Sequence, residues 1–222
     1  MNHKPPDGQQ PMTNTDQCLP TQSAGGLLFD EASHTYTLAG RRVPSVTQVL
    51  ADLIPGWQAS EWYLDRGKAV HACAAMIAQG VPFEHDPIIS GQVAACRRFV
   101  REVFPVFHAV ERRVCSRRYQ YAGTMDALML LKGTRGGVVL DWKASIAKSL
   151  PYQLAAYATA YTEETAVSIR WGAGVMLKDD GTYRMTEIYD LRRYAQTWLA
   201  FLNVYGARRE CGQEEGDTGG MR

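Results

Sequence analysis

One segment, Val138-Val139-Leu140-Asp141-Trp142-Lys143, constrains this chain more than any other. Its apolar, β-branched start asks for a buried strand, yet that strand ends in opposite charges. Side chains alternate along a strand, so Asp141 and Lys143 share one face with Val139, while Leu140 and Trp142 take the other. A carboxylate and an ammonium at the end of a buried strand need solvent, each other, or a metal ion. A second acid, Asp126, lies in Gly123-Thr124-Met125-Asp126-Ala127-Leu128, among apolar neighbours, and no other acid falls between Glu111 and Asp141. The stretch Lys132–Gly137, KGTRGG, reads as a turn. Folding there brings Asp126 close to Asp141 on the neighbouring strand. Two carboxylates so placed repel unless a cation sits between them. Oxygen ligands with room for water suit Mg²⁺ or Mn²⁺. Such an ion would polarise a phosphate and activate a water, with Lys143 orienting that water or stabilising developing charge. Taken alone, Asp141-Trp142-Lys143 also reads as an ordinary strand-end ion pair.

The elements around this segment follow in a regular order. Leu27–Asp30 and His34–Leu38 read as a hairpin, with Gly40 after it. Ser45-Val46-Thr47-Gln48 fits a capping box that opens a helix to about Leu53. Glu61–Gln79 is a helix closed by Gly80 and Pro82, and Pro87 to about Phe104 is another, ended near Pro105. Phe107–Cys115, Tyr119–Leu131 and Val138–Lys143 are consecutive strands. Ser149 can cap a helix with Pro151 in its first turn, running to about Tyr161. Strands Ser168–Leu177 and Tyr183–Tyr189, joined by KDDGT, precede a final helix, Leu191–Arg208. Helices, three strands, helix, two strands and helix make a mixed α/β sandwich on a central sheet.

The chain's 222 residues suit one domain, residues 26–209, between a flexible N-terminal tail (1–25) and a flexible acidic C-terminal tail (210–222). The tails carry −1 and −3, so residues 26–209 carry +5 within a formal net charge of +1. Much of the basic charge comes as arginine pairs, from Arg41/Arg42 to Arg208/Arg209. That distribution is compatible with a polyanionic partner, but +5 is small for a nucleic-acid binder and on charge alone favours a solvated arginine-rich surface. No apolar run is long enough for a membrane span, the N-terminus lacks a secretory segment, and the five scattered cysteines read as reduced thiols. The expectation is a cytoplasmic protein.

The ordered set Gly67-Lys68-Ala69-Val70-His71, Gly123-Thr124-Met125-Asp126, Asp141-Trp142-Lys143 and Gln153-Leu154-Ala155-Ala156-Tyr157 resembles the PD-(D/E)XK nuclease superfamily. The likeness is to its RecB-like branch, which includes small phage-encoded exonucleases. Gly40–Leu50, GRRVPSVTQVL, looks like the start of phage members, and the resemblance spans roughly residues 28–190. It implies a restriction-endonuclease-like core, αβββαβ, with an N-terminal hairpin and helical extension. It implies Asp126 and Asp141 as acidic metal ligands, Lys143 as the catalytic lysine, and the Trp142 backbone carbonyl and His71 as further metal ligands. Gln153 and Tyr157 match the helix motif beside the site and lie on one side of that helix. His71 also reads as a satisfied helix histidine, and Gln153 with Tyr157 as an amphipathic surface. Glu111 is either a third acid of the site or a partner of Arg112 or Arg113.

The expected activity is a Mg²⁺- or Mn²⁺-dependent deoxyribonuclease, an exonuclease acting on DNA ends by analogy with the family. A structure-specific or nicking endonuclease of the same fold is the alternative. A non-catalytic module binding nucleic acid or a partner, and a metal-free scaffold, are the alternatives of other classes. Arg66, Lys68, Arg117 and Arg118 are expected phosphate contacts, and Tyr121 and Tyr152 either stack on an unpaired base or, as is commoner for tyrosine, pack in the core. Only Cys211 occupies the late region where iron–sulfur relatives cluster three cysteines, so no cluster is expected. No G-x-x-x-x-G-K-[ST] loop occurs, so no nucleotide is expected. The resemblance also suggests a phage or prophage source, with a recombination or repair protein as a candidate partner.

Overall fold

A computed structural model describes residues 26–54 and 61–217. It begins with a three-stranded antiparallel sheet, β1 (Leu27–Asp30), β2 (Thr35–Leu38) and β3 (Arg41–Val43). Asp30 closes the first turn by accepting from the Ala32 N–H and the Ser33 hydroxyl. The sequence shows β1 and β2 but not β3, because three residues are too few for alternation to register. Gly40, at φ +80°, makes the turn into β3. The expected capping box opens α1 (Val46–Leu53): Gln48 N–H donates to Ser45 Oγ at 3.1 Å and Ser45 N–H donates to Gln48 Oε1 at 3.0 Å.

Two helices follow, α2 (Glu61–Gln79) and α3 (Ser90–Val103), the second entered through a 3₁₀ turn at Pro87–Ile89. The chain then runs through three antiparallel strands, β4 (Val106–Ser116), β5 (Tyr121–Leu130) and β6 (Val138–Lys143). Helix α4 (Leu150–Thr165) carries it back so that β7 (Trp171–Leu177) lies parallel to β6. β8 (Tyr183–Met185) and β9 (Tyr189–Asp190) each pair antiparallel with β7. The single strand expected over Tyr183–Tyr189 is therefore two. The interruption falls at Thr186, whose hydroxyl accepts the Gly174 N–H that a continuous strand would take. The last helix, α5 (Arg192–Asp217), continues beyond Arg208. The first part of the segment expected as a loose tail is thus helical. Residues 218–222, and the expected tail 1–25, lie outside the described residues.

The central sheet has the order β4-β5-β6-β7-β8, is mixed, and is flanked by helices on both faces. Helices α1, α4 and α5 cover one face, with Val49, Leu154, Tyr161 and Trp198 in a shared cluster that includes Val139. Helices α2 and α3 cover the other, where Ala74 and Phe99 pack with Val138, Leu140 and Trp142. β6 is therefore apolar because both its faces are buried, and the run α3-β4-β5-β6-α4-β7 is the expected αβββαβ order. Among the described residues no helix is long and apolar enough to cross a membrane.

Two acids bind the far end of α4 to β4. Glu164 accepts from Arg112 Nη2 at 3.1 Å and from the Cys115 N–H at 2.7 Å. The Arg112 and Glu164 side chains are only 2% and 4% exposed, and the Arg112 guanidinium lies 4.8 Å from the Tyr161 ring centre. Glu163 accepts from Ser116 Oγ and from the Arg118 N–H.

Candidate metal and catalytic site

The paired ladder between β5 and β6 ends at Ala127–Leu140, one step before the two acids. At this frayed end the backbone turns its hydrogen-bonding groups over to side chains. Asp126 Oδ2 accepts the Trp142 N–H at 2.8 Å and lies 3.2 Å from His71 Nδ1. The N–H and C=O of one strand residue point the same way, so the Trp142 carbonyl also leaves β6 on the side of Asp126. Its indole packs edge-on against Phe99 in the core beneath. Asp141, only 1% exposed, is held from two directions: Lys143 Nζ lies 2.7 Å from Oδ2, and Gln153 Nε2 donates to Oδ1 at 2.9 Å. Gln153 also donates to the Tyr157 hydroxyl at 3.2 Å, since both stand on the same side of α4.

The third acid comes from a distorted strand. Glu111 sits inside β4 at φ +48°, a left-handed conformation that non-glycine residues adopt at a cost of order 1–3 kcal/mol. Val110 pairs with Ala127 and Arg112 with Met125, so Glu111 falls opposite Asp126. The distortion matches a reversal in β5: Met125 and Leu128, three apart, both pack toward α4, which regular alternation forbids. Ligand atoms of His71, Glu111 and Asp126 all lie within 4.8 Å of one another, a group that could hold a metal ion. Arg112, one of the two alternative partners for Glu111, bonds Glu164 instead, and Arg113 lies over the Phe29 ring.

The charges respond to this crowding. Burial works against an ionised Asp126, yet His71, Lys143 and the Trp142 N–H hold its pKa below the usual carboxylate value. Burial pushes Asp141 up to about 6, aided by Asp126 and opposed by Lys143. Desolvation within the group, and then Asp126, push Glu111 up to about 7 although its side chain stays exposed. For His71 burial disfavours the cation, but the Asp126 carboxylate outweighs it and raises the pKa to about 9. Burial also opposes the Lys143 ammonium, and Asp141 with Asp126 more than restores it. Without a cation, protons and Lys143 carry the positive charge that the three acids require.

No family model and no curated protein matches the chain. A solved structure, an alkaline exonuclease from Laribacter hongkongensis, is matched with a TM-score of 0.37 and 14% identity, over 78% of this chain and 93% of that one.

Gly123 shapes the floor of the site. A Cβ there would lie 2.6 Å from Tyr157 Cε1 and 3.4 Å from Val46 Cγ2. Gly123→Ala must displace the Tyr157 ring, and should cost about 1–3 kcal/mol. Thermal unfolding reads this directly; an unchanged Tm would mean that Tyr157 does not pack on Gly123.

The expected DNA contacts divide. Lys68 is exposed and, among the described residues, pairs with Asp65 one turn away, at 3.2 Å. Arg117 and Arg118 are exposed at the β4–β5 turn, Arg118 lying over the Tyr119 ring. Arg66 is different: its side chain is 19% exposed and its Nη2 lies 2.5 Å from Asp179. Gln92 shares that carboxylate, so Arg66 ties α2 to the β7–β8 turn. Tyr121 corrects the stacking expectation. It is fully buried, donates to the Ala156 carbonyl at 2.8 Å and packs edge-on against Trp198, so no base can reach it. Tyr152 is half-buried between Tyr194 and Phe201 rings of α5. The sequence reading passed over Tyr36, whose hydroxyl bonds Thr124 Oγ1 at 2.8 Å and pins β5 two residues before Asp126.

Proposed function

We propose that this chain is a divalent-metal-dependent deoxyribonuclease that acts on DNA ends. The observation that carries the reading is the convergence of His71, Glu111 and Asp126 beside the Asp141–Lys143 pair, at the open end of one strand ladder. The donor set of one imidazole and two carboxylates, with Asp141 and the Trp142 carbonyl adjoining, fits Mg²⁺ or Mn²⁺. A bound cation would supply Lewis-acid polarisation of the scissile phosphate and a more acidic water. His71, Glu111 and Asp126 would hold that ion, the imidazole in its neutral form. Asp141 fixes Lys143, and Lys143 offers fixed positive charge and a proton donor to the phosphoryl oxygens as negative charge develops. Gln153 locks the second oxygen of Asp141, and Tyr157 backs Gln153. Lys68, Arg117 and Arg118 are exposed cations for the DNA backbone. The preference for ends rests on the motif set's resemblance to the exonuclease branch.

The titrations give a pH prediction. Asp141, Glu111 and His71 hold protons more tightly in the metal-free fold than in the unfolded chain. Their contribution to stability is therefore present at acid pH and lost as pH rises through about 6, about 7 and about 9 in turn. A cation competes with those protons, so its affinity climbs over the same range. The rise in Tm produced by Mn²⁺ should be larger at pH 8.5 than at pH 6. Equal shifts at both would put the ion elsewhere.

The activity itself is tested by offering end-labelled linear duplex, single-stranded and covalently closed circular DNA with Mg²⁺, Mn²⁺ or EDTA. Metal-dependent loss of linear DNA alone fits the proposal. Cleaved circles would make the enzyme an endonuclease. DNA binding without cleavage under either metal would make the chain a binding module.

A further inference from the structure

A second polar cleft, enclosing about 240 Å³, lies between β3, the start of α1 and the later turns of α5. Arg42, Val43, Pro44, Gln48, Tyr205 and Arg209 line it. It is separate from the metal group. The Pro44 carbonyl accepts the Ala122 N–H, and Ala122 precedes Asp126 on β5 by four residues, roughly 13 Å of strand.

The hydrogen-bonding capacity of the side chains lining this cleft is mostly donor. Arg42 has no ion pair among the described residues. Arg209 has no acidic partner there either; it donates from Nη1 to the Tyr205 hydroxyl at 3.1 Å, its guanidinium 5.5 Å from that ring's centre. Tyr205 is 8% exposed, and having accepted from Arg209 its hydroxyl keeps a proton to donate. Gln48 is oriented by the capping box: its Oε1 is taken by the Ser45 N–H, which leaves the Nε2 donors outward. The Pro44 carbonyl is already occupied. The neighbouring Arg208 lies 2.9 Å from Asp52 and is neutralised there, whereas Arg209 has no acidic partner among the described residues.

Two guanidinium groups, a phenol and an amide NH₂, whose donors outnumber the acceptors left on the lining side chains, favour an anionic ligand rich in acceptors. We propose that this cleft binds a phosphate group, supplied either by the backbone of a nucleic acid or by a free phosphate or nucleotide, outside the catalytic constellation. It gives a role to Gly40–Leu50, which the catalytic reading leaves unused. The DNA source rests on the proposed function; the phosphate chemistry does not.

The test uses the full chain in EDTA, so that no cleavage intervenes. Anisotropy of a fluorescein-labelled duplex is measured across a salt series for wild type, Arg42→Gln/Arg209→Gln and Arg208→Gln, and thermal unfolding is followed with inorganic phosphate. A backbone site predicts that the double variant loses on the order of tenfold in DNA affinity and about 2 in the salt slope, with Arg208→Gln near wild type. A free-phosphate site predicts unchanged DNA affinity and a phosphate-induced rise in Tm that the double variant lacks. Either result supports the cleft. Wild-type behaviour of the double variant in both arms overturns it, as does an equal loss in Arg208→Gln, which would mark a general charge effect. Binding is read without catalysis, so an inactive protein with an Arg42- and Arg209-dependent site would remove the nuclease and leave the cleft standing.

Discussion

Asp126→Asn should reduce DNA cleavage by on the order of 10³-fold or more, equivalent to roughly 4 kcal/mol of barrier, without unfolding the protein. Asparagine keeps an oxygen for the Trp142 N–H, so the frayed end of β5 and β6 stays capped. What it removes is the charge that faces His71 at 3.2 Å and Glu111 across the strand pair. Without that charge the group keeps one carboxylate and an imidazole, which weakens its hold on Mg²⁺. The His71 pKa, raised chiefly by Asp126 against burial, should fall toward the ordinary histidine range. Lys143→Met separates the roles, since it should abolish cleavage and retain Mn²⁺ binding. Near-wild-type cleavage by Asp126→Asn would remove Asp126 from the chemistry, and an unchanged histidine titration would deny its contact with His71.

Glu164→Ala, at a position away from the site, should destabilise the fold by about 3–5 kcal/mol. The cost comes from what remains. Arg112 would stay buried over Tyr161 without its counter-ion, and the Cys115 N–H would lose its acceptor. For a chain of this size that loss lowers Tm by on the order of 10 °C. Replacing both charges, Arg112→Met with Glu164→Leu, should recover the part of the loss that comes from the unpaired charge, because well-packed apolar groups often match a buried ion pair, while the Cys115 N–H still lacks its acceptor. Cleavage per folded molecule should be unchanged. Calorimetry on the two single variants and the double decides; a small loss in Glu164→Ala would mean that water reaches Arg112.

The core of the sheet was legible because its strands are buried on both faces. Val138–Lys143 has the same limits in sequence and structure, as does α2, where apolar periodicity and a Gly/Pro stop agree. The capping box at Ser45 and Gln48 was readable because capping is local. Glu111 was not decidable, since its place beside Asp126 depends on a left-handed backbone that no non-glycine residue announces. Arg66 looked like a phosphate contact because its partner, Asp179, is 113 residues away. Tyr121 looked available because alternation cannot say which face of β5 meets α4 and α5. The polar cleft escaped notice for the same reason, as Arg42 and Arg209 come from opposite ends of the chain.

The most direct test of the account is digestion of an end-labelled linear duplex by wild type and by Asp126→Asn, each with Mg²⁺ and with EDTA. A metal site that needs the Asp126 carboxylate gives cleavage by wild type with Mg²⁺ and none in the other three reactions. Cleavage in EDTA, or cleavage by folded Asp126→Asn at the wild-type rate, would contradict a metal-dependent site built on His71, Glu111 and Asp126.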